Sequence, residues 1–213
     1  MTAFKNKVFF VSGIGTDVGK TVVSAILSEA LEANYWKPIQ SGDLDNSDSI
    51  KVKKWTENVT VLDEKYRLTN PLSPHTSARI DGVSISKNVN IPCVDSTLIV
   101  EGAGGLLVPL NDEGLTLGDW ISEFKKPVIV VVRHYLGSIN HTLLTLNYLK
   151  VNGIEIAGLV VTGEKHEESE KIIEKITGLE VNLYIPQSKE INKDFVTKQA
   201  QINKEKITKW LLG

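Results

Sequence analysis

The aliphatic run Val8-Phe9-Phe10-Val11 leads straight into Ser12-Gly13-Ile14-Gly15-Thr16-Asp17-Val18-Gly19-Lys20-Thr21, and Val22 to Leu31 then carries apolar residues along one helical face. A buried strand, a glycine turn and a helix in that order leave few folds open. Glycines let successive main-chain N–H groups turn inward as an anion-binding nest. Lys20 can reach β- and γ-phosphates, the Thr21 hydroxyl can ligate Mg²⁺, and the helix N-terminus adds its partial positive charge. The segment predicts a phosphate-binding loop that takes a nucleoside triphosphate, with Asp17, Val18, Gly19, Lys20, Thr21 and Val22 as its contacts. One feature departs from the usual spacing: Gly13 and Gly19 enclose five residues, where the common loop has about four.

Further apolar runs lie at Thr97–Val100, Pro127–Val132, Ile156–Val161 and Val181–Ile185, separated by helical or loop-like stretches. Near-continuous aliphatic strands of this kind are buried on both faces. The expected fold is therefore α/β, a mostly parallel sheet with helices on both faces, of the phosphate-loop NTPase type. With 213 residues and no linker or repeat, the chain reads as a single domain over 1–213. A net charge of −2 with mixed signs gives no attraction for nucleic acid or an anionic membrane. The lone Cys93 forms no internal disulfide, and neither a signal segment nor a membrane span is evident, which suits a cytoplasmic protein. Right-handed crossovers place the carboxyl ends of all parallel strands on one edge, where ligands collect.

The residues after each run are therefore the candidates for chemistry. Glu101 ends a strand and is followed by Gly102-Ala103-Gly104-Gly105. It fits either a Mg²⁺ ligand or a turn carboxylate, and the nearby phosphate loop favours the metal. Lys37, after Tyr35-Trp36, is a surface charge unless its strand neighbours the loop, in which case its ammonium can neutralise a reacting anion. Asn46-Ser47-Asp48-Ser49 reads as a helix N-cap, from which Asp48 can supply a second metal ligand.

In order, the chain carries the phosphate loop, Lys37-Pro-Ile-Gln-Ser41-Gly42, Asn-Ser-Asp48, Ser73-Pro-His75, Glu101-Gly-Ala-Gly-Gly105, Gly118-Asp-Trp120 and Leu136-Gly-Ser-Ile-Asn140-His141. This ordered set resembles the dethiobiotin synthetases, firmly over residues 8 to 141 and more loosely over Ile154 to Ile185. That family also writes its loop with five residues between the glycines. The resemblance implies an ATP-dependent ligase that closes a cyclic urea on 7,8-diaminononanoate with CO₂, through a carbamate and a carbamic-phosphoric anhydride. It implies Lys20, Lys37 and Thr16 as catalytic groups; Thr21, Asp48 and Glu101 as Mg²⁺ ligands; and Ser41 as a diamine contact. Asp48, Glu101, Gly102, Ala103 and Gly104 join the loop in holding the nucleotide. It further implies a homodimer in which the turn Gly137-Ser138-Ile139-Asn140 holds the substrate carboxylate across the interface.

Two positions depart from that pattern. Asp17 stands where the family commonly has Glu. Thr162-Gly163 stands where many relatives place an Asn that reads adenine, and a threonine hydroxyl lacks the paired donor and acceptor of a carboxamide, so base discrimination should be weak. Pro186-Gln187-Ser188 matches a second base or ribose loop. Nothing activates Cys93, which reads as an inert, buried thiol. His75 and His141 read as structural, His134 and His166 as loop or surface residues, the four tryptophans as packing groups, and Glu164–Lys175 as a solvated helix face. A regulatory or assembly ATPase of the partition or metal-insertion type stays open, although Ser12-Gly13-Ile14 lacks the second lysine such proteins often carry. A nucleotide-binding module without chemistry and an amide-forming synthetase also stay open.

Overall fold

The computed structural model describes residues 7–213, so the first six residues of the expected 1–213 unit lie outside the described residues. Seven strands form one sheet: β1 (Val8–Gly13), β2 (Asn34–Trp36), β4 (Val61–Leu62), β6 (Leu98–Glu101), β7 (Val128–Arg133), β8 (Ile156–Thr162) and β9 (Val181–Ile185), in the order β4-β2-β6-β1-β7-β8-β9. Every neighbouring pair is parallel. The aliphatic runs are the reason, since β6 and β7 bury every residue from Leu98 to Val100 and from Val128 to Val131 completely.

After β1, helix α1 (Lys20–Leu31) carries the chain left to β2; after β7, helix α5 (Ser138–Val151) carries it right to β8. Right-handed crossovers in opposite directions put these helices on opposite faces of the sheet. Helix α7 (Lys193–Leu212) packs on α1 together with α2 (Asp48–Trp55), while α6 (Glu167–Thr177) packs on α5. Helix α4 (Leu117–Phe124) enters through a capping box between Thr116 and Asp119, and its Trp120 and Phe124 pack edge to face, with Phe124 stacked on Phe10. The indoles of buried Trp36 and Trp120 and of half-buried Trp210 each donate to a main-chain carbonyl, which satisfies the N–H as the ring packs.

A second, two-stranded parallel ladder joins β3 (Ile39–Ser41) to β5 (Tyr66–Leu68), with α3 (Pro74–Ile80) beside it. Its strands are three residues long and mix polar with apolar side chains, so they make no run in the sequence. Two expectations are corrected. Cys93 is exposed, because 84–97 forms no regular element that would cover it. His134 does lie in the loop after β7, but it is not a surface group: its side chain is only 8% exposed, because Glu170 of α6 closes over it at 3.2 Å. Among the described residues no helix is long and apolar enough to cross a membrane.

Candidate active site

The carboxyl ends of β1, β2 and β6 meet at the start of α1. Gly19, the N-cap of α1, has φ 90° and ψ 22°, a left-handed conformation that glycine adopts without a Cβ penalty. No side chain caps the helix and no acid occupies its first turn, so its first N–H groups remain available to an anion. Lys20 is buried and folds back to donate to Gly15 O at 2.8 Å. Burial pushes its ammonium below the ordinary lysine range, with Glu101 partly offsetting the effect.

Glu101, at the end of β6, is fully buried. Its Oε1 accepts from Thr21 Oγ1 at 2.9 Å and from Lys37 Nζ at 3.0 Å; its Oε2 accepts from the Tyr35 hydroxyl at 2.9 Å. Lys37 also meets Asp48 Oδ2 at 2.5 Å. Burial disfavours the Lys37 charge, yet the carboxylates of Glu101 and Asp48 outweigh it and hold the ammonium above its ordinary value. Asp48 shows the converse: burial acts against its charge, but Lys37 beside it keeps the carboxyl below the usual range. Ser47 caps α2 by accepting from Ile50 N, as the N-cap reading expects, and Asp48 N donates to Gln40 Oε1 at 3.2 Å.

Lys20, Thr21, Lys37, Gln40, Asp48 and Glu101 line one cleft of about 920 Å³, together with Thr16, Asp17, Gly19, Val22, Ala103, Gly104 and Ser41. The Ser41 hydroxyl on this cleft wall is buried without a hydrogen-bond partner. Asp17 holds φ 57°, unusual for a non-glycine residue. Val18 packs below the loop, and Gly102 N donates to Val11 O at 2.9 Å.

The remaining predicted residues lie on the same edge but outside this cleft. Thr162 and Gly163 end β8, where the Thr162 hydroxyl donates to Val18 O at 2.7 Å and Gly163 N to Ile185 O. Pro186 and Gln187 are exposed after β9, and Ser188 turns onto Glu190 O at 2.6 Å. Gly137, Ser138, Ile139 and Asn140 open α5 after β7; Gly137 has φ 101°, and Leu136 before it is wholly exposed. His75 and His141 engage neighbouring hydroxyls, consistent with structural roles. Sequence reasoning missed Tyr35 and Gln40. The signal for Tyr35 was its spacing of two from Lys37, which places both on one side of an extended chain.

The protein family described as AAA domain matches residues 7–194. Among solved structures, a ParA family ATPase from Chlorobium tepidum is similar over 99% of both chains (14% identity, TM-score 0.56). The septum site-determining protein MinD of Pyrococcus horikoshii is similar over 97% of this chain and 93% of its own (14% identity, TM-score 0.56). At such identity these likenesses establish the phosphate-loop NTPase fold alone. The curated relatives reach further. The ATP-dependent dethiobiotin synthetase BioD of Christiangramia forsetii is 51% identical over 82% of this chain and 85% of its own, and that of Cytophaga hutchinsonii is 45% identical over 91% and 95%. At that identity, over more than four fifths of both chains, the chain belongs to the dethiobiotin synthetase family.

Proposed function

We propose that the protein is an ATP-dependent dethiobiotin synthetase acting on 7,8-diaminononanoate and CO₂ in biotin biosynthesis, as a cytoplasmic homodimer. The observation that carries this reading is Lys37, held between Glu101 and Asp48 at the wall of the phosphate-loop cleft. A lysine used only to neutralise surface charge would not be buried among two carboxylates and a second lysine.

In this scheme one amine of the diamine adds to CO₂ and loses a proton, giving a carbamate. A carbamate oxygen attacks the γ-phosphorus and ADP leaves. The second amine then attacks the carbonyl carbon of the mixed anhydride and gives up a proton, and phosphate departs with the C–O bond electrons as the ring closes. Lys20 and Lys37 draw the two anions together by neutralising them, and Thr16 holds the loop side of the γ-phosphate. The unpartnered Ser41 hydroxyl receives the diamine, while the Gly137–Asn140 turn of the second subunit takes its distal carboxylate at a helix N-terminus.

The Thr21 hydroxyl and the Asp48 and Glu101 carboxylates are all oxygen donors, and Asp48 faces the Thr21 hydroxyl as Glu101 does. That set suits Mg²⁺, which takes one or two carboxylates and completes its shell with phosphate oxygens and water. When bound, Mg²⁺ would offset charge on the transferring phosphoryl group. Both carboxylates also pair with Lys37, which joins the metal ligands to the lysine that faces the reacting anion.

Lys37→Met separates the reading from a plain nucleotide site. Product formation should fall at least about 100-fold, the scale of losing one group that stabilises developing charge, while the Kd for Mg-ATP changes only a few-fold. Equal losses of binding and turnover would reduce Lys37 to a nucleotide ligand.

A further inference from the structure

Thr162 stands at the end of β8, two strands from the phosphate loop in the sheet order, yet its side chain touches the loop directly. Its hydroxyl donates to Val18 O at 2.7 Å in a buried contact. A Cβ added at Gly19 would come within 3.1 Å of the Thr162 methyl and 3.2 Å of its hydroxyl. On its other side Val18 is fixed by its own side chain, whose Cγ2 lies 2.5 Å from where a Cβ on Gly13 would sit. The residue before the left-handed Gly19 is therefore held at both its side chain and its carbonyl.

This contact acts on the anion site through the planarity of the peptide. In a trans peptide the C=O of one residue and the N–H of the next point in opposite directions. Turning the Val18 carbonyl toward Thr162 thus turns the Gly19 N–H away from it, and Gly19 lines the cleft. Without the hydroxyl, the Val18–Gly19 peptide can tilt about ψ of Val18 and φ of Gly19, the second of which a glycine leaves permissive, and one donor of the phosphate nest loses its fixed direction. The same hydrogen bond engages the only proton the hydroxyl can donate.

We propose that Thr162 is a positioning residue for the nucleotide phosphates, a latch from β8 that sets the Gly19 N–H, and that its hydroxyl donates to the loop and not to the base. The inference rests on the reading of this cleft as a nucleotide site. The test is calorimetric titration of the parent, Thr162→Val and Thr162→Ser with Mg-ADP, Mg-GDP and Mg-CDP, without diamine. Thermal melts check that each variant folds. Thr162→Val should weaken all three nucleotides by one common factor of about 5–10, the scale of one buried hydrogen bond, and Thr162→Ser should stay within about twofold of the parent because it restores the donor. Thr162→Ala gives the same uniform loss if valine disturbs packing. A valine variant that binds like the parent, a loss confined to Mg-ADP, or a serine variant as weak as valine would each overturn the latch. A parent that binds none of the three would instead overturn the nucleotide-site reading beneath it.

Discussion

Glu101 is fully buried, and three donors surround its carboxylate: Thr21, Lys37 and Tyr35. A buried carboxylate with fewer partners would be costly. Tyr35 is the residue that frees the other two, since by holding Oε2 it leaves Oε1 to face the cleft. Its own ionisation is suppressed, by burial first and by Glu101 second, so the phenol remains a donor at all working pH values. Tyr35→Phe keeps the ring and removes the donor. Steady-state kinetics should show turnover about tenfold lower, the scale of one hydrogen bond to a charged group, with the far-UV circular dichroism unchanged; undiminished turnover would show that the phenol does not position Glu101. Lys20, Thr21, Lys37, Asp48 and Glu101 were readable from the sequence because each follows a strand or opens a helix, the places where a parallel sheet presents chemistry. Gln40 was not, since its contact to the start of α2 depends on a ladder too short to announce itself.

At the scale of elements, the long aliphatic strands and α1 were readable to within two residues because burial on both faces admits little but Val, Ile, Leu and Phe. The short β3–β5 ladder and the burial of His134 were not, because both depend on contacts distant in sequence. The link between α6 and β9 is of that kind. Glu170 accepts from Tyr184 Oη, from His166 N at 2.9 Å and from His134 Nε2 at 3.2 Å. Burial acts to raise its carboxyl, but the Tyr184 hydroxyl and these further donors outweigh it, so Glu170 ionises below the ordinary value of 4.5. A depressed carboxyl stabilises the fold above its unfolded value and loses that contribution as pH falls through the folded one. Glu170→Gln should therefore melt roughly 2–6 °C below the parent at pH 7, from about 1–2 kcal/mol of charge-assisted hydrogen bonding. The gap should close as both are acidified through the lowered folded value of that carboxyl; a gap constant across the acid titration would mean that the charge of Glu170 contributes nothing.

For the molecule as a whole, the sheet order places the phosphate loop, Lys37, Asp48 and Glu101 on one carboxyl edge, with the turn that opens α5 and the loop after β9 farther along it. The same architecture underlies the ParA and MinD structures, so the fold by itself does not separate an enzyme that makes a product from one that switches partners. The distinction lies in the side chains: a buried lysine between two carboxylates, a buried serine hydroxyl on the cleft wall without a hydrogen-bond partner, and no second lysine at Ser12-Gly13-Ile14. The most direct test is phosphate release by the purified protein with Mg-ATP and bicarbonate, with and without 7,8-diaminononanoate, and with mass detection of the product. Phosphate that depends on the diamine and appears together with dethiobiotin is the predicted result. Slow hydrolysis indifferent to the diamine, with no product, would contradict the account and leave a partner-switching ATPase in its place.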